Sequence, residues 1–569
     1  MTPNKSVGSG FKFAPVALAV ALLGGGLPPT SGAPLTFNRD IAPLVFEHCS
    51  GCHRPGQSAP FSLLSYADVQ RRATTIVRVT QNRYMPPWLP APGFGEFAGE
   101  RRLNPEHIDQ LQRWVAAGCP EGNPADRPTP PRFPDGWQLG EPDFILTLPC
   151  AYELPATGKD VYRNLVVPVP TIGPHYVKGI EFHPGNARVV HHAFIAFDVT
   201  RGSRRRAERE DPPGFSGMEL PDTAQMPAGQ LLGWQPGKTP YLSPPGLSWL
   251  LRMNTDLVLQ LHLHPSGRPE TVQPSLGFYF TDQPPTNSAF RIGIRSFSLD
   301  IPPGTNGYAV DESYTVPVPV ALLRVSTHAH YLGKDLQAYA LLPDGRKKWL
   351  IRIPDWDFNW QGDYEYRQPL ELPAGSRLML HYTYDNSAAN PRNPNNPPRR
   401  VRYGLQTTDE MGEVWFQTLA GNPADRERLA RDYFLYVVRR TEEFDAATLR
   451  DDPGNAPAHV RLGHNLMVRG RLPEARAHFA AALLAQPDFA PAHYEMADWS
   501  LAQNDLAAAY RELQTVLQLD PGNAKAYGNL GYLESRRGRF VEARAAAEKA
   551  LRLDPDDSAV RDFLARLPR

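Results

Sequence analysis

Six histidines and one methionine in the middle of the chain are spaced for metal chemistry. They fall in four short segments: His191 and His192 in VVHHAF, His262 and His264 in LQLHLH, His328 and His330 in STHAHYLG, and Met411 in TTDEM. Neutral imidazoles and a thioether are borderline-to-soft donors that suit copper, whereas magnesium and calcium take oxygen ligands. Each pair lies in alternating apolar sequence, the mark of a β-strand, where residues two apart share a face. Both histidines of LQLHLH, and both of STHAH, can therefore project from one side of a sheet. The adjacent pair His191–His192 can reach one metal only at a bulge or strand end, or through different ring nitrogens. A single His-x-His pair also fits a one-metal antiparallel barrel of the cupin type. Three pairs and a distant Met in this order do not. His175, His183 and His381 read as hydrogen-bonded structural residues.

Taken in order, His191-His192, Gln260-Leu261-His262, His328-Ala329-His330-Tyr331-Leu332-Gly333-Lys334 and Asp409-Glu410-Met411 resemble the copper type II, ascorbate-dependent monooxygenases. That family includes the peptidylglycine α-hydroxylating and dopamine β-monooxygenases, and the resemblance covers roughly residues 140–425. It implies two all-β sandwich lobes of jelly-roll type, 140–290 and 291–425, with one copper each and a solvent-exposed cleft between. It further implies that His191, His192 and His262 hold the copper that relays an electron. His328, His330 and Met411 would hold the catalytic copper, where oxygen binds. His264 has no place in the family pattern and reads as a cleft residue or a neighbour of the ligands. The implied reaction hydroxylates a C–H bond of a small organic substrate with O2 and two external electrons. In the peptide-amidating branch an Arg two positions before His-x-His binds the substrate carboxylate. Ser326 stands in that place here, with Arg324 the nearest arginine, and Glu413 and Trp415 replace that branch's Asn and Tyr. The expected substrate is therefore not a C-terminal glycine peptide but a neutral, cationic or aromatic molecule. The alternative is a non-catalytic exported electron-transfer or copper-binding protein with the same ligands.

Cys49-Ser50-Gly51-Cys52-His53 is a c-type haem attachment motif: two thiols add across the vinyl groups and the imidazole ligates the iron. No βαβ frame suggests a thioredoxin-like pair, and no second Cys pair suggests zinc. Met85, in Tyr84-Met85-Pro86-Pro87-Trp88, is the candidate sixth ligand. The two prolines hold its segment out of helix, and resemblance to class I cytochromes c implies a Met on such a loop. His/Met ligation would raise the potential and suit the iron as a relay. Asn104–Gly118 reads as a helix capped by Asn104-Pro105. A small all-α cytochrome c-like domain over 34–125 and a Pro-rich linker over 126–139 follow. A linker of that length would hold this electron donor at about millimolar effective concentration beside the copper of His191, His192 and His262.

The chain's 569 residues exceed one core, so several domains are expected. Lys+Arg and Asp+Glu both number 60, which leaves no basic excess for nucleic acid. Sixty prolines cluster in connections between strands. Residues 1–33 carry Lys5 and Lys12, an apolar run of about 15 residues and small residues at Ser31-Gly32-Ala33, the shape of a secretory signal. The run falls short of the roughly 20 residues that span a bilayer. Periplasmic or secreted location is expected, with a membrane anchor only if the signal stays uncleaved. Cys119 and Cys150 are candidates for a disulfide or for two free thiols. Strands are expected at Leu165–Val169, Val189–Val199, Leu257–His264 and Leu276–Thr281, with a hairpin turn at Pro343-Asp344-Gly345. Arg201–Pro213 and Ala388–Arg399 read as surface loops.

Pro453, Pro487, Pro521 and Pro555 recur at intervals of 34 residues, as do Gly463, Ala497 and Gly531, and Ala475, Ala509 and Ala543. That period, with small residues at fixed offsets, resembles the tetratricopeptide repeat. After a connecting helix over 426–451, an all-α solenoid over 452–569 is expected, its concave face suited to a protein partner. The other expected partners are the substrate, O2 and an exported electron donor.

Overall fold

The computed structural model describes residues 34–568, except for residues 56, 58, 134, 135, 172, 218, 219, 221, 222, 228, 405, 555 and 556. The expected signal segment lies outside the described residues. Among them no helix is long and apolar enough to cross a membrane.

After a π-helical turn at Phe37–Ile41, the described residues continue in three α-helices: α1 (Ala42–His48), α2 (Tyr66–Gln81) and α3 (Pro105–Ala116). Ser65 and Asn104 cap α2 and α3 by accepting the backbone N–H groups of Asp68 and His107. Val69, Ala73 and Ile76 of α2 and Ile108, Leu111 and Trp114 of α3 recur at helical spacing and close one core with Phe37 and Ile41. Cys119 is buried in this core while Cys150 is exposed, and both thiols are free. The disulfide is therefore not formed, because one cysteine belongs to the helical core and the other to a surface turn.

The middle of the chain is β-rich and antiparallel, in two units with separate cores. In the first, β1 (Val161–Pro168), β2 (Val190–Asp198) and β3 (Asp256–Leu263) lie side by side in the order β1–β3–β2, with short edge strands outside. β3 is buried on both faces. Leu257, Leu259, Leu261 and Leu263 go to the core, so the alternation sends Val258, Gln260 and His262 to the other side. In the second unit, β4 (Phe290–Arg295), β5 (Val320–Ala329), β6 (Asp363–Leu372) and β7 (Gly412–Ala420) form a sheet in the order β4–β7–β5–β6. A second four-stranded sheet covers it and shares its core through Leu336, Leu378, Leu380 and Tyr382.

The charged stretch after Arg201 is a helix, Gly202–Glu210, rather than the expected loop. Its composition hides what holds it. Asp198 caps it by accepting the Ser203 N–H and hydroxyl at 2.7 and 2.6 Å, Arg204 pairs with buried Asp256, and Ala207 enters a small core with Phe215.

Residues 84–101 leave the N-terminal helices and run along the second β unit. Phe97 joins that unit's core and stacks on Tyr366 at 5.3 Å, Trp88 meets Tyr364 edge-on, and Ala98 and Ala91 donate to Glu365 O and Arg352 O, each at 2.8 Å. A 29-residue helix, Pro423–Asp451, docks on the same unit through Leu429 and Tyr436. Six helices in antiparallel pairs and a short last helix, Ser558–Arg566, complete the array. Gly463 shows why small residues repeat there: a Cβ would lie 2.4 Å from the Phe479 ring of the paired helix.

Candidate metal centres

β2 carries one extra residue opposite β3: the register passes from Val190↔Leu263 to His192↔His262, leaving His191 as the bulge. A bulge turns a side chain to the face its neighbour already uses. His191 and His192 accordingly point together. Their Nδ1 atoms lie 3.1 Å apart, and His191 Nδ1 lies 3.2 Å from His262 Nδ1. Two imidazole bonds of about 2.0–2.1 Å to one metal, at angles between 90° and tetrahedral, place their nitrogens about 2.9–3.4 Å apart, so the spacing fits a bound ion. His262 Nε2 donates to Asp160 Oδ2 at 3.0 Å, which fixes the tautomer and leaves the Nδ1 lone pair toward the other two rings. Tyr162 stacks on His262 at 4.2 Å and holds its plane. Burial pushes His191 down to about 3 and His192 well below the ordinary imidazole value, so both rings are neutral at physiological pH. His264 stands beside this trio, its ring 4.6 Å from His262 and 4.7 Å from His191, with Nδ1 3.4 Å from Asp160.

The second group is assembled on β5 and the segment entering β7. His328 and His330, two apart on β5 and just beyond its end, have ring centroids 5.2 Å apart. Each has its Nδ1 engaged, with Gln361 Oε1 at 2.6 Å from His328 and the Asp409 carbonyl at 3.1 Å from His330. Both rings thus present Nε2. Met411 is buried and lines the same cavity. Glu410 explains its place between Asp409 and Met411. Fully buried, it accepts the backbone N–H groups of His330, of Leu332 at 2.8 Å and of Met411 at 2.8 Å, tying the turn after β5 to the start of β7. Burial pushes its carboxyl up to about 8 against those donors. Tyr384 Oη donates to Met411 O at 3.0 Å, and Trp356 Nε1 donates to His330 O at 3.0 Å. Burial also lowers His328, and takes His330 to about 3.

One cavity of about 410 Å³ between the two β units is lined by His191, His192, His328, His330 and Met411. Phe358 stands between the groups, its centroid 6.0 Å from His191 and 5.7 Å from His330. The two sets are therefore separated by no more than the sum of those distances. Two cations on the cavity wall are paired, Lys238 with Asp363 at 2.7 Å and Arg295 with Glu413. Arg324, the nearest arginine to the motif, is occupied by Asp363 at 3.1 Å and Glu365 at 3.0 Å and stacks on Tyr241.

In the N-terminal helices, Cys49 and Cys52 follow α1 and His53 comes next, its Nδ1 at 3.2 Å from the Phe61 carbonyl. That contact directs Nε2 outward, as an axial iron ligand requires. A Cβ on Gly237 would lie 3.5 Å from Cys52 Sγ, and Arg101 donates to Gly237 O at 2.5 Å, so this motif sits against the loop that carries Lys238. Met85 is half-buried just past α2, with its N–H on Val79 O at 3.1 Å. Its neighbour Tyr84 meets Trp360 edge-on at 5.9 Å, next to the Gln361 that holds His328. His183 pairs with Glu181, His381 with Asp311, and His175 stacks on Phe280. Asp160, Gln361, Phe358 and Arg291, all at the site, are named by no sequence motif.

Residues 500–567 match the tetratricopeptide repeat family. A 53-residue segment is 42% identical to the human protein O-mannosyl-transferase TMTC1, covering 9% of this chain and 6% of that protein. The likeness spans a small part of either chain.

Proposed function

We propose that the chain is an exported copper-dependent monooxygenase that hydroxylates a C–H bond of a small organic molecule. The carrying observation is that two groups of imidazoles, one with Met411 beside it, meet one cavity large enough for substrate through His191, His192, His328 and His330. The stoichiometry is R–H + O2 + 2 electrons + 2 protons giving R–OH + H2O. Two bound coppers would supply one-electron chemistry and O2 activation, which no side chain in the cavity can do. His191, His192 and His262 would hold one ion through Nδ1, with Asp160 fixing the His262 proton on Nε2. His328, His330 and Met411 would hold the other, the thioether favouring the cuprous state. Phe358 and Trp234 keep the space apolar, and Gln361 holds His328 in position.

The N-terminal helices would carry one haem c on Cys49 and Cys52, with His53 and Met85 as axial ligands. Supporting this is the His53 tautomer set by Phe61 and the packing of the motif against the β units. The array would dock a protein partner, as such repeats commonly do.

The test is anaerobic copper titration of protein matured in an exporting host, followed by oxygen uptake with candidate substrates. Two copper equivalents, one covalent haem and substrate-dependent uptake are expected. One copper equivalent, or haem extractable into acid-acetone, overturns the cofactor assignment. Two coppers without uptake against any substrate point instead to an electron-transfer or copper-binding protein.

A further inference from the structure

Arg291 is the one cavity-lining cation without a carboxylate within 4.0 Å among the described residues. Its polar contact is Met226 Sδ at 3.4 Å, and its guanidinium lies 4.9 Å from the Trp415 ring. Lys238 and Arg295 are neutralised by Asp363 and Glu413, so the wall retains one net positive charge from Arg291. Arg291 is half-buried; an arginine drawn partly out of water loses solvation that an anion can restore, and it stays charged under all ordinary conditions.

The strand register shows where that charge stands. β4 sets Arg291, Gly293 and Arg295 opposite Gln417, Trp415 and Glu413, and β7 sets Glu413 and Trp415 opposite His328 and Ser326. All these residues are on one face by alternation. Gly293 is required there, because a Cβ would lie 2.2 Å from the Trp415 ring. Trp415 thus lies across β4 between the two arginines, with Arg295 on its other side at 5.4 Å. The Arg291 row is four residues from the His328 row, about 13 Å at 3.3 Å per residue, with the indole as an apolar floor between.

We propose that Arg291 anchors the carboxylate of a substrate whose apolar body lies on Trp415 and whose far end reaches His328, His330 and Met411. The substrate class is an organic acid with an aryl or alkyl body shorter than about 13 Å. The sequence expectation was a neutral, cationic or aromatic molecule; an aryl body agrees with it and the carboxylate departs from it. Ser326 removed one arginine from the pocket, but β4, two strands away, supplies another. The proposal rests on the oxygenase reading for the fate of the bound molecule but not for its binding.

The test uses the full chain, copper-free and copper-loaded, with 3-phenylpropionate, 3-phenylpropionamide and 3-phenylpropylamine as probes. Binding is read by tryptophan fluorescence and calorimetry. The acid is expected to bind roughly tenfold or more tightly than the amide, with the amine weakest, and the preference should shrink as salt rises. Arg291→Gln should abolish the preference at unchanged copper content and melting temperature, and Arg291→Lys should keep part of it. Equal or tighter binding of the amine, no binding of the acid at millimolar concentration, or an unchanged preference in Arg291→Gln overturns the anchor. If the preference and its loss are seen in protein that takes up no copper, the anion site stands and the oxygenase reading falls.

Discussion

The candidate ligand residues were readable as residue types, but their tautomers were not. Asp160 is 102 residues from His262 and Gln361 is 33 from His328, and both reach their partners only through the fold. Asp160→Asn removes the carboxylate that holds the His262 proton on Nε2. Copper affinity of the His191, His192 and His262 group should fall about 10–100-fold with the second group unaffected, measured by competition with a chelator. Acid should weaken the copper-free fold in a defined window. His191 and His330 are held near 3 in the native state but titrate near 6.5 when unfolded. The unfolded chain therefore binds more protons between those values, and stability declines as pH falls through that window. Each group contributes a slope of at most about 1.4 kcal/mol per pH unit. Melting of copper-free protein from pH 7 to pH 4 should be steeper for wild type than for His191→Asn.

Among the elements, hydrophobic alternation identified β2, β3 and the strand Ser275–Thr281 to within a few residues, because burial on at least one face imposes a period of two. The bulge at His191 was open to several readings, since nothing in VVHHAF distinguishes a bulged strand from a strand end. The helix Gly202–Glu210 was invisible for a different reason: its anchors, Asp198 and Asp256, lie outside it. The turn after β5 depends on Glu410. Glu410→Ala leaves three buried N–H groups without an acceptor, and at about 1–3 kcal/mol each the loss should reach several kcal/mol. Thermal melting should show it, and copper titration should show loss of the site proposed at His328, His330 and Met411. Gly412→Ala should destabilise as well, because its Cβ would lie 2.4 Å from Tyr384 Oη.

For the whole molecule, the repeat period announced the C-terminal array, because a solenoid writes its geometry into the sequence. How the N-terminal helices meet the β units was not legible, since Phe97, which enters the core of the second unit, lies in no motif, and Trp88 was read only as part of a ligand loop. Those contacts put Tyr84 and Trp360 beside Gln361 and His328, whereas the sequence reading sent electrons toward the His191 group. If the haem reading holds, Trp360→Leu should slow oxidation of reduced haem by the coppers roughly tenfold while its potential and spectrum stay unchanged, as rapid mixing would show. The segment 84–101 has one more consequence. It crosses from the helices to the second β unit and back before α3, so α3 and the chain beyond it return to a body already fastened elsewhere. Cutting the Pro-rich linker would then sever the backbone without releasing either side: a nicked chain should migrate as one particle until denatured. The fusion is thus a clasp rather than a leash, and a foreign helical module joined by the same linker would bring proximity without the fit.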